Sequence, residues 1–292
     1  MFRLLLFFWS TFGLFAQEAP KSFFTPSDSL NIQRRNAVVI TETVLGGATL
    51  VGLNQLWYAD YPKSNFHFIN DNAEWLQMDK IGHLYSAYHL GRFGAEALHW
   101  SGVRKQDQLI YGTTLGFAFL SIVEVMDGYS AEWGASSGDI IANALGTGLY
   151  VSQELLWKEQ RITPKFSFHT TSFAVQNPNK LGSIFSEQLL KDYNGQTYWL
   201  SANMHSFFKG SKIPKCLNLA FGYGADGMLS GIDPNDQRYR QFYLSFDVDL
   251  TKITTKNSFL KTLFSFFNTI KVPAPTLSYS THTGFKAHSL YF

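Results

Sequence analysis

Residues 240–253 read RQFYLSFDVDLTKI. Phe242, Leu244, Phe246, Val248 and Leu250 alternate with Tyr243, Ser245, Asp247, Asp249 and Thr251. Successive side chains of a strand point to opposite faces, so this period of two predicts a half-buried antiparallel strand. Weaker runs of the same kind are KFSFHTTSFAV (165–175), QTYWLSANMHSF (196–207), CLNLAFGYG (216–224), TLSYSTH (276–282) and FKAHSLYF (285–292), separated by Gly, Asn, Pro and Asp. One helical pattern interrupts them. SFLKTLFSFFNTIK (258–271) places Phe259, Leu260, Leu263, Phe264, Phe267 and Ile270 on one stripe. Layer logic favours such a helix covering a sheet over one lying in a membrane interface. About six short strands are too few for a closed membrane barrel of eight or more, so a small sheet packed on helices is expected.

Upstream of Pro164 the period is helical. Four patterns run over Ala37–Tyr58, Lys80–Trp100, Gln106–Met126 and Ile140–Trp157. The first has Glu42 as its only charge and is a candidate membrane span. The longest charge-free stretches of the third and fourth, 109–123 and 140–153, fall short of the ~18 to 20 residues of an unambiguous span. Gly112-x-x-x-Gly116 and Ala142-x-x-x-Gly146 let helices approach closely, and short connections imply antiparallel neighbours. The fold class is therefore α+β: an antiparallel four-helix bundle of membrane-associated character, then a small antiparallel sheet with one amphipathic helix. The expected divisions are a signal peptide at 1–16, the bundle at 32–160 and a β-rich domain at 165–292.

The signal peptide rests on MFR, the apolar run LLLFFWSTFGLFA and the polar QEAPKS, with Ala16 before a cut at Gln17. No cysteine lies near that cut, which argues against a lipid anchor there. The expected location is the periplasm or outer membrane of a Gram-negative-type bacterium. Trp57, Trp75, Trp100, Trp133 and Trp157 fall at helix ends, where they could form a headgroup belt or cap a soluble core. Arg34, Arg35, Arg104, Lys105, Lys158, Arg161 and Lys165 fall at one end of an up-down bundle.

Composition narrows the function. The 292 residues hold 24 Lys+Arg and 22 Asp+Glu, a net +2, without the basic excess of a nucleic-acid binder. Charged residues are 16%, against roughly 25% in soluble domains, and the deficit lies in the signal peptide and helices. A hydrophobic share of 45% excludes disorder. The single cysteine, Cys216, excludes an internal disulfide framework and any CxxC motif. No HExxH, GxSxG or nucleotide-binding Gly loop is present, so no nucleotide partner is expected.

The remaining charges gather at helix ends. Asp79-Lys80-Ile81-Gly82-His83 opens the second helix, and Asp79 and His83 share a face. Glu124 and Asp127 close the third, while Asp139 and Asn143 open the fourth. Up-down topology brings these three ends together, beside loops carrying Asp60, Asp71, Glu74 and Glu132. Each residue has a local explanation, such as Ser136-Ser137-Gly138-Asp139 as a capping box. Jointly, acids and a histidine at one end of charge-poor helices must be paired, hydrated or metal-bound.

DKIGH at 79–83, E124-x-x-D127 and G134-x-S136-x-x-D139-x-x-x-N143-x-x-G146 resemble the YfiM-like family of predicted periplasmic lipoproteins, whose function is unassigned. More distantly they resemble the VanZ family of membrane proteins. KDYNGQTYWLS at 191–201 looks like the longer Bacteroidetes-type members. The lipoprotein cysteine of the first family and the arginine that VanZ proteins carry before the position of Asp139 have no counterpart.

Two readings follow. In the first, a membrane-associated structural or interaction protein of the envelope uses the cluster as a polar knot. In the second, a metal-assisted or acid/base hydrolase or transferase acts on an envelope lipid or glycan. Its candidate catalytic residues and divalent-metal ligands are Asp79, His83, Glu124 and Asp139, supported by Lys80, Asp127, Asn143 and Ser136. A membrane lipid or envelope component is the expected partner. Oligomeric state is not encoded.

Overall fold

Four long helices precede the sheet, over the stretch where the apolar periodicity is helical. They are α1 (Ile32–Leu53), α2 (Met78–Trp100), α3 (Thr113–Gly128) and α4 (Ser137–Leu156). The computed structural model describes residues 22–59, 61–233 and 237–291. The signal peptide, Asp60 and Phe292 lie outside the described residues. A π-helical turn, Asn54–Tyr58, prolongs α1, and another, Gln108–Gly112, leads into α3.

Small residues set the packing. A Cβ on Gly116 would collide with the Ala87 carbonyl, and one on Gly146 with the Leu84 carbonyl, so α3 and α4 both lie against α2 at backbone distance. The expected four-helix bundle is thereby a tight three-helix unit, α2 to α4. α1 is laid along it, with Val38 as its only buried residue and Val39, Ile40, Val44, Leu45 and Val51 mostly exposed. Residues 32–58 and 105–128 are each long and apolar enough to cross a membrane by length and composition.

Two short strands tie the loops at one end. β1 (Phe68–Ile69) pairs in parallel with β2 (Ala135–Ser136), which the sequence does not announce. Ser136 then caps α4 by accepting from the Asp139 N–H at 3.2 Å. At the start of α2, Trp75, Leu76 and Gln77 all have positive φ, 47°, 49° and 68°. Three successive left-handed residues with side chains are costly, and the turn is held by the Tyr223 hydroxyl donating to the Leu76 carbonyl and the Trp75 N–H donating to the Gly231 carbonyl.

Beyond α4 the chain forms one antiparallel meander. β3 (Ile162–Phe168), β4 (Gln196–Asn203), β5 (Leu217–Asp226), β6 (Tyr239–Val248), β7 (Ala274–Ser280) and β8 (Gly284–Tyr291) pair in that order. β3 and β4 meet α2, where Tyr85 touches the rings of Phe166 and Tyr198. Short helices fill the β3–β4 connection, the longest being α5 (Phe185–Lys191). The half of KFSFHTTSFAV after Phe168 is a turn and one of these short helices, not strand.

The sheet is inside out relative to a soluble one. On β6, Tyr243, Ser245 and Asp247 are buried, whereas Leu244 and Phe246 are exposed. Leu200, Phe221, Leu244 and Leu277 stand in register across four strands, and all four are exposed. The buried face holds Lys165, expected at a bundle end, ion-paired at 2.7 Å to Asp247, both wholly buried.

The amphipathic helix, α6 (Ser258–Phe267), is shorter than its pattern. It does not cover the sheet. Arg92 of α2 donates to Ser265 Oγ and O, both at 2.9 Å, and Phe93 stacks on Phe266. No residue of α6 is buried. The following segment protects the free edge of β3, the Phe166 N–H donating to the Thr269 carbonyl and the Lys271 N–H to the Phe166 carbonyl.

Candidate functional site

The first turns of α2 and α4 and the last turns of α1 and α3 lie at one end, and their polar residues meet there. Lys80 Nζ donates to Asp71 at 2.5 Å, to Asp139 at 2.8 Å and to Asp79 at 3.3 Å. Ser136 binds two of the acids, its N–H donating to Glu124 Oε2 at 2.9 Å and its hydroxyl to Asp71 Oδ1 at 2.6 Å. Tyr193 donates to Asp79 Oδ1 at 2.7 Å, and Tyr58 to Asp127 Oδ1 at 2.8 Å.

His83 sits in the middle. Its Nδ1–H donates to Asn143 Oδ1 at 3.0 Å, which leaves Nε2 as the ring atom facing the acids. Nε2 lies 3.7 Å from Glu124 Oε1, 3.8 Å from Asp79 Oδ1 and 4.0 Å from Asp139 Oδ1. These separations exceed a charge-assisted hydrogen bond of about 2.7–2.9 Å. Among the described residues, Glu124 Oε1 and Asp139 Oδ1 are buried without a hydrogen-bond partner, as is Asn143 Nδ2. Ligand atoms of Asp79, His83 and Asp139 lie within 4.8 Å of one another. An imidazole and two carboxylates, with Glu124 beside them, are donor types that a divalent ion of the zinc or manganese kind takes.

Electrostatics agrees with the geometry. Five carboxyls, of Asp71, Asp79, Glu124, Asp127 and Asp139, face one ammonium and one imidazole. Burial pushes Glu124 up to about 8, only partly offset by the Ser136 N–H. Burial and then the charge of Asp79 push Asp139 up to about 7, and burial lifts Asp127 to about 6. Asp79 alone lies below the usual range, because His83 and Lys80 outweigh its burial. His83 is raised, the three acids around it outweighing its own burial. The protein's own cations leave the cluster short of positive charge, and the cluster holds protons in their place.

Asp71, Asp79, His83, Asp127 and Asp139 of the cluster line a cavity of about 450 Å³. Its other walls are largely apolar, from Leu53 and Trp57 on α1, Phe119 and Val123 on α3, Leu189 on α5 and Phe166 on β3. The structure thus gathers all eight residues expected from sequence: Asp79, Lys80, His83, Glu124, Asp127, Ser136, Asp139 and Asn143. Asp71, known from sequence only as a loop acid, belongs with them through Lys80 and Ser136. Tyr58 and Tyr193 had no signal, being 69 and 114 residues from their acids.

Residues 67–154 match the model of a family described as "Predicted periplasmic lipoprotein (DUF2279)". The match contains every carboxylate of the cluster together with Lys80 and His83, and it stops before the sheet. It bears out the periplasmic-lipoprotein resemblance without reaching YfiM or VanZ in particular. The protein is exported, to the periplasm or outer membrane, as an envelope protein. No curated protein and no solved structure matches the chain.

Proposed function

We propose that the protein is a membrane-facing envelope enzyme, a hydrolase or transferase, whose reaction centre is a divalent-metal site formed by Asp79, His83, Glu124 and Asp139. The observation that carries this reading is the convergence of Nε2 and three carboxylate oxygens at 3.7–4.0 Å, two of those oxygens buried and unpartnered. A buried acceptor without a donor costs about 1–3 kcal/mol, so these two oxygens call for a bound ion or water.

An ion held by Asp79, His83, Glu124 and Asp139 would supply Lewis-acid chemistry for the cleavage of an ester or phosphoryl linkage. Asp127 lines the same cavity outside the ligand set and would be the candidate base. Asn143 fixes the His83 tautomer, as outer partners of ligating imidazoles do. The apolar walls favour a lipid over a glycan as substrate. Membrane contact is supported by the exposed apolar rows of the sheet and of α1.

A second reading keeps the cluster structural, favoured by Lys80, which already pairs with three of the acids. Elemental analysis of the purified protein separates the two. The enzyme reading expects about one zinc or manganese per chain. It also expects folded His83→Ala and Asp139→Asn proteins that lose both the metal and function. A metal-free wild type, with variants that only lower the melting temperature, leaves the structural knot standing.

A further inference from the structure

The cavity beside His83 has a mixed lining in which apolar surface is the larger part. Leu53, Phe119, Leu120, Val123 and Leu189 supply aliphatic and aromatic surface, while Asp71, Glu74, Asp79, His83, Asp127 and Asp139 supply charge, with tyrosines and Gln196 between. An amphiphile is the ligand class that satisfies both kinds of surface at once. One wall is α1, whose outer side carries exposed Val39, Ile40, Val44, Leu45 and Val51. It is held at its ends, by Arg34 on the Trp100 carbonyl and ring, by Tyr58 donating to Asp127, and by Lys191 of α5, which donates to the Leu56 carbonyl at 3.2 Å and lies 4.7 Å from the Trp57 ring centre. Between those ends only Val38 is buried, so a helix with little buried surface separates the cavity from the surface best suited to hydrocarbon.

We propose that this cavity binds an acyl chain of a membrane phospholipid, with the lipid's polar linkage at the His83 cluster and entry past α1. The proposal names a substrate class for the reaction centre proposed above, and rests on that reading only for which end of the lipid lies at His83. Free fatty acids share the hydrocarbon chemistry. They differ from phospholipid in source, since only the latter must be drawn from a bilayer.

The test uses the mature chain in two titrations. One adds free cis-parinaric acid, and the other adds vesicles of phosphatidylcholine carrying a parinaroyl chain. Saturable fluorescence gain from the vesicles is expected. Leu53→Trp and Val123→Trp fill the cavity from different walls, and each should weaken uptake about tenfold or more, since excluding two buried methylenes removes that much affinity. Melting curves confirm that at least one of the two is folded. Uptake by wild type that neither filled variant changes, or no saturable uptake, overturns the proposal. Uptake of the free acid with none from vesicles also overturns it, reassigning the cavity to fatty acids. Metal content, measured on the same samples, keeps the two readings apart. Metal without chain binding removes this proposal alone, and chain binding without metal removes only the metal centre.

Discussion

Both halves of the molecule bury acids and lysines, and they treat them in opposite ways. Inside the sheet, Lys165 and Asp247 are fully satisfied. The lysine also donates to the Val248 carbonyl at 2.7 Å, and the carboxylate accepts from Ser201 at 2.6 Å and from the Val272 N–H at 3.0 Å. At the helix ends, Lys80 and His83 face five carboxyls, and two of the oxygens have no donor. A buried pair in which each partner has further hydrogen bonds is architecture. A buried cluster short of positive charge has a task that its own side chains do not complete.

Substitution should split the two regions most widely. Asp247→Ala strands the Lys165 ammonium among buried groups and should destabilise by about 3–5 kcal/mol in chemical denaturation. Asp139→Asn removes one of too many acids and leaves Lys80 paired with Asp71 and Asp79. Its cost should stay within about 1 kcal/mol, since the lost bond and the relieved repulsion oppose each other. Equal losses at both positions would erase the distinction.

Titration should separate them next. Glu124 at about 8, Asp139 at about 7 and Asp127 at about 6 keep protons that the unfolded chain releases near pH 4. Their contribution is full below those unfolded values and is lost as pH rises through the folded ones. Raised His83 has the same sign, whereas lowered Asp79 has the opposite one, its contribution full above the unfolded value of 3.8 and lost as pH falls below it. In chelator the melting temperature should therefore fall from about pH 4.5 to about pH 8, and saturating zinc or manganese should flatten that fall by replacing the protons. The sheet has the other sign. Burial lowers Lys271 to about 8 from 10.5, so between those values the unfolded chain holds the extra proton and stability rises with pH. Lys271→Met should reduce the rise, Lys165 being lowered by burial in the same direction, and leave the acid-side slope intact.

The two halves were also unequally legible in the sequence. Helix ends gather residues through topology alone, so Asp79, His83, Glu124 and Asp139 could be placed together from alternating helix directions. Tyr193 reaches Asp79 through tertiary packing that no local pattern encodes. Alternation over 240–253 located β6 but left open which face is buried, because a period of two is the same in either orientation. Only the wider sheet decides it. Lys165 and Asp247 read separately as surface charges, and their pairing across 82 residues is what turns the polar side inward. α6 was mislocated for a related reason, since its stripe says that something apolar lies opposite and does not say what.

That inversion gives the smallest predicted change in stability. Leu244→Ser together with Phe221→Ser exchanges two apolar neighbours on the outward face for hydroxyls. Were water the solvent of that face, the pair should cost little, within about 0.5 kcal/mol each, as for exposed positions without special contacts. Were hydrocarbon the solvent, stability measured in water would be equally indifferent, because neither residue is buried there. The discriminating quantity is partition. The wild type should sediment with membranes or bind vesicles, and the double variant should shift towards the soluble fraction in proportion to apolar area lost, at roughly 25 cal/mol per Å². The same exchange on the inward face, Tyr243→Ser, should leave partition alone and destabilise the fold, since Tyr243 packs against Trp199 and Tyr291. A soluble wild type would leave the outward rows without a bilayer and would confine membrane contact to α1.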